Sequence, residues 1–277
     1  MTSVDHATIR EQVRDTYAAA ALAAQAAPAG PNRLAETIYG PVDTTDPGAA
    51  AAALGCANPT ALIDLQPGQT VLDLGSGGGL DVLRSARRVG PTGRVIGIDM
   101  TPEMLALAEA NRAAAGLDNV EFRLGHIENL PLPDHSVDVV VSNCVLSLSP
   151  HKEQVLAEAW RVLVPGGRLA FADLATLSPL PVAITQSLAA WVGCLAGAWP
   201  IDTWAQQLAA LGFVDVDVQV VRTFGRADLD LLDATPLGRT PLADLTDDDL
   251  AAADGKIASV HLTARKPAAA TAATRCC

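Results

Sequence analysis

An apolar segment at residues 70–74 runs directly into a glycine-rich turn at 75–79, and this junction constrains the fold most. Glycine accepts backbone conformations that other residues avoid, and it lets a ligand approach the main chain closely. A helical pattern follows at 81–89, and apolar strand-like segments then alternate with helical ones as far as residue 173. This alternation predicts a parallel sheet with right-handed crossover connections.

We predict a doubly wound, Rossmann-like α/β sheet, mostly parallel with an antiparallel last strand. Residues 1–48 are predicted to form an N-terminal helix, at 9–27, followed by a loop or lid. Residues 49–180 form the ligand-binding core. Residues 181–265 supply a helical insertion and the strands that complete the sheet, and 266–277 form a flexible tail.

The net charge of −12 at pH 7 argues against nucleic acid and anionic lipid as partners, because both attract basic surfaces. The longest apolar run near the start, 18–27, is mostly alanine and is too short to span a bilayer. We therefore predict a soluble, cytoplasmic monomer with no membrane partner. Because cytoplasmic thiols stay reduced, we interpret the five cysteines as reactive or ligand thiols, not as a disulfide framework.

Two acidic residues occur where a nucleoside ligand would need them. Asp73 precedes the first glycine of the turn by two residues, from where it can reach the amino acid end of a bound nucleoside. Asp99 ends the next strand, twenty residues after Gly79, and an acid there can accept both hydrogen bonds of a ribose diol. A structural turn without a ligand and a nicotinamide-dependent dehydrogenase are the alternatives, although no Tyr-x-x-x-Lys or comparable His-based hydride site is apparent.

A later turn, Leu-Val-Pro-Gly-Gly-Arg-Leu at 163–169, leads into another strand and resembles that of class I S-adenosylmethionine-dependent methyltransferases. The resemblance implies that S-adenosylmethionine is the cofactor and that residues 125–128 lie along its adenine. The cofactor-binding residues that it implies are Asp73, Gly75, Ser76, Gly77, Gly79, Asp99, Met100, Gly125, His126, Ile127, Glu128 and Asn143.

Three cysteines have sequence neighbours that resemble those of arsenite methyltransferases. Cys56 lies in Gly-Cys-x-Asn-Pro, Cys144 in Ser-Asn-Cys-Val and Cys194 in Gly-Cys-x-x-Gly-Ala, and the similarity extends over about 54–213. The resemblance implies that Cys144 and Cys194 hold trivalent arsenic and that Cys56 is the third functional thiol and arsenic ligand. It also implies arsenite and methylarsenite as substrates, and a reductant of the thioredoxin or glutathione type.

Elementary chemistry agrees with this assignment, because trivalent arsenic is soft and prefers thiolate sulfur. Two or three thiolates bind it pyramidally and leave its lone pair free to attack a methyl carbon. The protein then needs no general base. Taken singly, however, each cysteine is also explained as a buried apolar residue.

The chain departs from the family pattern at Ala57, where glycine is common, at Ser147, where asparagine is common, and in having no cysteine before Cys56. Cys276 and Cys277 end the chain and resemble the tails of some bacterial relatives, where they would capture arsenic, but they are equally consistent with a nonessential tail. Two other functions remain open: a methyltransferase of a small organic acceptor and a non-catalytic, thiol-based metalloid-binding protein.

Overall fold

The computed structural model describes residues 5–26, 49, 59–226, 228–229, 242 and 244–269. Its strands are β1 (Thr70–Leu74), β2 (Arg94–Asp99), β3 (Val120–Leu124), β4 (Val137–Asn143), β5 (Leu163–Thr176), β6 (Trp199–Pro200), β7 (Val214–Phe224) and β8 (Ile257–Arg265). Its helices are α1 (His6–Ala26), α2 (Leu80–Val89), α3 (Pro102–Ala115), α4 (Lys152–Val162), α5 (Val182–Gln186), α6 (Leu188–Val192), α7 (Ile201–Ala210) and α8 (Asp247–Ala251). No helix in the described part of the chain is both long enough and apolar enough to span a membrane.

These strands form one sheet in the order β3-β2-β1-β4-β5-β8-β7, with the short β6 pairing only with β5. The first five strands pair in parallel, and β8 runs antiparallel to both β5 and β7. The central strands β1 and β4 are buried over most of their length, as expected where helices cover both faces of a parallel sheet. The predicted fold class is confirmed.

The strand register brings the ends of the central strands to one edge of the sheet. Leu74 at the end of β1 pairs with Ile98 on one side and with Ser142 on the other. Ser142 in turn pairs with Phe171 of β5. The loops that follow β1, β2, β4 and β5 therefore meet at the carboxyl edge, where open α/β sheets bind their ligands.

Local signals set the helix boundaries. Helix α3 begins after Thr101 with proline at its first position and ends at Gly116, whose φ of 64° suits glycine. The acidic run at 247–249 starts α8, because Thr246 and Asp249 form a reciprocal capping box. The acidic run thus marks the start of a helix.

The structure corrects two boundaries. The predicted turn at 165–167 lies inside β5, where the pairing register with β4 shifts and Gly166, at φ 84°, donates its N–H to the Lys266 carbonyl over 3.0 Å. Lys266, placed in the flexible tail, is buried, and its ammonium donates to the carbonyl oxygens of Trp160 and Leu163 over 2.6 and 2.8 Å. A charged side chain can be buried when its donors are satisfied in this way.

The N-terminal helix α1 lies across the carboxyl edge and contacts both α3 and α6. Its Ala20 and Ala21 pack with Met104 of α3, and its Val13 packs with Val192 of α6. The predicted lid and residues 270–277 lie outside the described residues.

Candidate active site

A cavity opens at the carboxyl edge between α1 and the loops that follow β1, β2, β3 and β4. Most of the cofactor-binding residues that the sequence predicts line it: Asp73, Gly75, Ser76, Gly77, Asp99, Met100, Gly125, His126, Ile127, Glu128 and Asn143. Gly79 is not among its lining residues. The structure therefore brings this set together around one space, apart from Gly79, whereas the role of each residue stays a prediction.

The glycine turn owes its shape to backbone contacts. Gly75 has a φ of 70°, and a Cβ on it would lie 2.5 Å from a methyl carbon of Val145. Its N–H donates to the Ile98 carbonyl over 2.8 Å. Gly79 has a φ of 90°, and a Cβ there would lie 3.0 Å from the Phe122 ring. Gly75 thus borders the cavity, whereas Gly79 permits close packing behind it.

Asp99 joins two of the cavity loops. One carboxylate oxygen accepts the Gly77 N–H and the other accepts the Thr101 N–H, each over 2.9 Å. Burial raises the pKa of Asp99 above its ordinary value, and these hydrogen bonds partly oppose the rise. Each carboxylate oxygen keeps a second lone pair with which to accept a ligand hydroxyl.

Two more carboxylates face the same space. Burial raises the pKa of Asp73 well above its ordinary value, and the nearby charges of Asp81 and Asp99 raise it further. Burial also raises the pKa of Asp81, although Asn143 donates to one of its oxygens over 3.0 Å. Within the described chain, the other Asp81 oxygen and the Ser76 hydroxyl are buried without a hydrogen-bond partner. The cavity therefore suits a ligand that carries positive charge and polar groups.

The thiol of Cys194 contacts the backbone of Cys144, which lines this cavity, and we call the position of these two residues the rim. Cys144 directly follows β4 and lines the cavity, and Cys194 follows α6. The Cys194 thiol donates a hydrogen bond to the Cys144 carbonyl over 3.3 Å, across 50 residues of sequence. Both residues are 6% exposed.

Both cysteines have backbone conformations that are uncommon for residues with a side chain. The φ angle is 55° at Cys144 and 65° at Cys194. Such conformations cost energy and persist where the surrounding structure holds them. Here the Cys144 N–H donates to the Ala172 carbonyl over 2.7 Å, and the Cys194 N–H donates to the Trp191 carbonyl over 2.9 Å. The fold thus maintains the backbone at both cysteines.

The oxidation states of the two cysteines differ. Cys194 is a free thiol, whereas Cys144 forms a disulfide. This disulfide contradicts the expectation that all five cysteines are reduced. Cys56, Cys276 and Cys277 lie outside the described residues, so their roles stay predictions. The Cys144 sulfur has to be reduced before it can bind a soft metalloid, because thiolate is the binding form.

Two buried groups of opposite charge, Asp173 and Lys152, act on Cys194. Asp173 is fully buried and accepts hydrogen bonds from the Leu146 N–H over 3.0 Å and from the Ser147 hydroxyl over 2.5 Å. Burial raises the pKa of the Cys194 thiol well above its ordinary value, and the Asp173 charge raises it further, whereas Lys152 and Tyr17 lower it. The site therefore contains both groups that oppose and groups that favour the thiolate.

Lys152 is the cation of this environment. Its ammonium donates to the Ser149 carbonyl over 2.7 Å and lies 5.4 Å from the ring centre of Trp191 and 5.7 Å from that of Trp199. Burial lowers the pKa of Lys152 to about 8, although the charge of Asp173 opposes this effect. The indole faces stabilise the charge that remains. The sequence analysis missed Lys152, because a lysine at a helix start is usually solvated.

Sequence reasoning also missed the contribution of α1. Arg10, Val13 and Tyr17 line the cavity, and Arg10 lies 3.7 Å from the Glu128 carboxylate. The available signal was the four-residue spacing of Val13 and Tyr17, which predicts an amphipathic face and is equally typical of ordinary core packing. Only the tertiary structure shows that this face covers a cavity.

Comparisons with known proteins agree with the geometry. The chain is 48% identical over 165 residues to an arsenite methyltransferase of Halobacterium salinarum, which covers 60% of this chain and 42% of that protein. It is 44% identical over 162 residues to an arsenite methyltransferase of Aquipseudomonas alcaligenes, covering 56% and 46%. A crystal structure of an arsenic(III) S-adenosylmethionine methyltransferase from Chlamydomonas reinhardtii superimposes with a TM-score of 0.59 at 31% identity, covering 78% of this chain and 68% of that one.

The chain spans less than half the length of these two curated relatives. The family model described as methyltransferase domain matches residues 65–213, a stretch that contains the glycine turn, both rim cysteines and strands β1 to β5. That match extends over more than half of the sequence, and the chain therefore belongs to the methyltransferase domain family.

Proposed function

We propose that the chain is an arsenite methyltransferase that transfers methyl groups from S-adenosylmethionine to thiol-bound trivalent arsenic and gives methylated arsenicals. The contact between Cys144 and Cys194 at the rim of an acidic cavity carries the proposal. Methyl transfer to an organic acceptor does not need two soft ligands there. The names of the arsenite methyltransferase relatives support the same acceptor.

The cavity fits the proposed cofactor in charge and in hydrogen bonding. S-adenosylmethionine carries a sulfonium and an ammonium group, and Asp73 and Asp81 place two carboxyl groups in the cavity for these cations. Asp99 has lone pairs for the ribose diol, and the loop at 125–128 is available to the adenine. When bound, the cofactor supplies an electrophilic methyl group on positively charged sulfur.

The role of the cysteines is to hold and orient arsenic. Each thiol that binds arsenite replaces one hydroxide, which leaves as water with the thiol proton, so charge and atoms balance without a general base. Cys144 and Cys194 then occupy two valences of a pyramidal arsenic whose lone pair faces away from the sulfur atoms. Orientation of two reactants in this way supplies about 7–11 kcal/mol in favourable cases.

Turnover also requires electrons. Formation of the arsenic–carbon bond uses the arsenic lone pair and oxidises arsenic by two electrons, and two thiols that close a disulfide return them. Cys56 is the proposed partner in this step, and a cytoplasmic reductant of the thioredoxin or glutathione type reopens the disulfide. The disulfide at Cys144 supports this part of the proposal, because a disulfide at the rim is what the redox step requires. We also propose that the protein acts as a monomer.

One assay tests the function. Purified protein is mixed with arsenite, S-adenosylmethionine labelled in its methyl group and excess thiol reductant, and arsenic species and S-adenosylhomocysteine are measured. Labelled methylarsenicals are expected from the parent and not from Cys194→Ser. Arsenic binding without S-adenosylhomocysteine would identify a non-catalytic binding protein. Cofactor binding without arsenic binding would identify a methyltransferase of another acceptor.

A further inference from the structure

The end of α6 and the turn that carries Cys194 lie against the segment that begins at Cys144. Trp191 of α6 donates its indole N–H to the Leu148 carbonyl over 3.0 Å, across 43 residues of sequence. Leu148 is one of the described residues that line the cofactor cavity, and Trp191 is not. The indole therefore joins the Cys194 turn to the wall of the cavity without facing the cofactor.

Trp191 also fixes the backbone at Cys194. Its carbonyl accepts the Cys194 N–H over 2.9 Å, which helps to hold the φ of 65° at this cysteine. The main chain of Trp191 thus binds the thiol residue, and its side chain binds Leu148 in the cavity wall. One residue therefore links the sulfur that would hold arsenic to the cavity that would hold the methyl donor.

Close packing leaves little freedom at this contact. A Cβ on Gly197, three residues after Cys194, would lie 1.9 Å from the Ser147 carbonyl oxygen and 3.2 Å from a ring carbon of Trp191. Glycine is needed there, because it alone lets the two segments approach so closely. The Lys152 ammonium lies 5.4 Å from the Trp191 ring centre, and this cation–π contact further restrains the indole.

We propose that Trp191 is a positioning residue, whose indole N–H holds the Cys194 turn against Leu148 and so places the Cys194 sulfur relative to the methyl group of the cofactor. This inference rests on the proposed function.

Arsenic binding makes the indole contact more important. In the free thiol, the Cys194 S–H donates to the Cys144 carbonyl and also joins the two segments. A sulfur bonded to arsenic has no proton, so this hydrogen bond is lost when the acceptor binds. The hydrogen bond from Trp191 to Leu148 involves no reacting atom and persists. Small displacements matter here, because a misplacement of about 1 Å between reacting groups can cost about a hundredfold in rate.

The test is Trp191→Phe, which keeps an aromatic ring and removes the indole N–H. The matched control is Trp204→Phe, because Trp204 is buried and its indole N–H has no hydrogen-bond partner in the part of the chain that the structure describes. Trp191→Phe should lower kcat for arsenite and methylarsenite about tenfold, with less than about twofold change in the calorimetric Kd for S-adenosylmethionine. Trp204→Phe should keep both values within about twofold of the parent. The stoichiometry of cofactor binding counts the folded protein in each sample.

A second variant breaks the same contact without changing the indole. Gly197→Ala places a methyl group against the Ser147 carbonyl and should push the Cys194 turn away from the cavity wall. It should therefore also lower kcat while the Kd for S-adenosylmethionine stays parental. A parental kcat in Gly197→Ala would contradict the inference, and this variant decides the question if Trp191→Phe does not fold.

A parental kcat in Trp191→Phe would overturn the inference, and so would an equal loss in Trp204→Phe. A loss of cofactor affinity that explains the whole rate effect would also overturn it. If the parent makes no methylated arsenicals, the proposed function fails, and Trp191 is judged by binding of phenylarsine oxide to the reduced protein. That reagent bonds two thiols and depends on their separation, so Trp191→Phe should weaken its binding about tenfold. Unchanged binding would refute the role of Trp191.

Discussion

The cofactor cavity and the thiol rim share one edge of the sheet but are built in opposite ways. The cavity gathers short sequence segments that directly follow strands, and its carboxylates, Asp73, Asp81 and Asp99, all carry the same charge. The rim joins Cys144 and Cys194 across 50 residues and surrounds them with the opposite charges of Asp173 and Lys152. The three carboxylates of the cavity therefore favour a cationic ligand, whereas the rim contains charges of both signs.

The difference separates affinity from reactivity. Mutations in the cavity should change how tightly the cofactor binds and how stable the empty protein is. Mutations at the rim should change whether an acceptor is held at all. The predictions below test this division in order of decreasing effect.

The largest effect is expected at the rim. Cys144→Ser and Cys194→Ser each remove a soft ligand, and a hydroxyl does not replace it because it stays protonated at neutral pH. Both variants should lose methylation of arsenite and of methylarsenite to the detection limit, while their calorimetric affinity for S-adenosylmethionine stays parental. Folding is checked by circular dichroism. Residual activity of Cys144→Ser on methylarsenite would contradict the division.

Cys56→Ser is expected to be selective. Methylarsenite already carries one methyl group in place of a ligand, so it needs fewer thiolates than arsenite does. This variant should therefore lose turnover of arsenite and retain some methylation of methylarsenite, as measured by product speciation on each substrate. The assignment of Cys56 is wrong if arsenite is methylated at the parental rate.

In the cavity, Asp99→Ala should weaken S-adenosylmethionine binding by about 1.5–3 kcal/mol, or about ten- to a hundredfold, the scale of hydrogen bonds to a charged group. Rim chemistry should survive, so kcat at saturating cofactor should fall much less than the affinity. Asp118→Ala is the control, because Asp118 is an exposed carboxylate outside the cavity. Unchanged calorimetric affinity in a folded Asp99→Ala protein would reject the ribose assignment.

Replacement of Asp73 is expected to have two smaller effects of opposite sign, one on the stability of the cofactor-free protein and one on its affinity for the cofactor. Burial and the neighbouring carboxylates raise the pKa of Asp73, so folding disfavours its charged form and the native state binds more protons than the unfolded state. The contribution of Asp73 to the free energy of unfolding therefore falls as the pH rises from about 3.9, the pKa in the unfolded chain, through the raised pKa in the folded protein.

Asp73→Asn should accordingly raise the Tm of the cofactor-free protein at pH 7 by a few degrees, about 1–2 kcal/mol. The same change should weaken S-adenosylmethionine binding about tenfold, because a cationic group loses its counterion. Scanning calorimetry without and with cofactor measures both. A lower Tm in the empty protein would show that the Asp73 charge is compensated in the native state.

The smallest effect is expected from the tail. Deleting 275–277 removes Cys276 and Cys277 and should leave the maximal methylation rate nearly intact, while activity at low arsenite falls. Rates measured across arsenite concentrations separate capture from turnover. Loss of activity at saturating arsenite would instead place these thiols in the core site.

Much of the architecture was accessible from the sequence, because strand and helix signals are local. The strand at 70–74 has the predicted boundaries, and the fold class is confirmed. The predicted turn at 165–167 and the predicted start of the tail at 266 were wrong, because contacts between residues far apart in the sequence determine the structure there. Gly166 lies in a strand because it pairs with Lys266, and Lys266 is ordered because its ammonium finds the carbonyls of Trp160 and Leu163.

The sequence by itself determined the sheet, the glycine turn and the acidic strand ends, since each depends on residues close together in the chain. It also identified Cys144 and Cys194 as a pair through their neighbours. Only the tertiary structure decided that Tyr17 lines the cofactor cavity and that Lys152 and Asp173 set the electrostatics at Cys194. Those contacts join α1, the start of α4, the interior of β5 and the turn after α6. No local pattern encodes such contacts, because they depend on how the packed elements meet at one edge of the sheet.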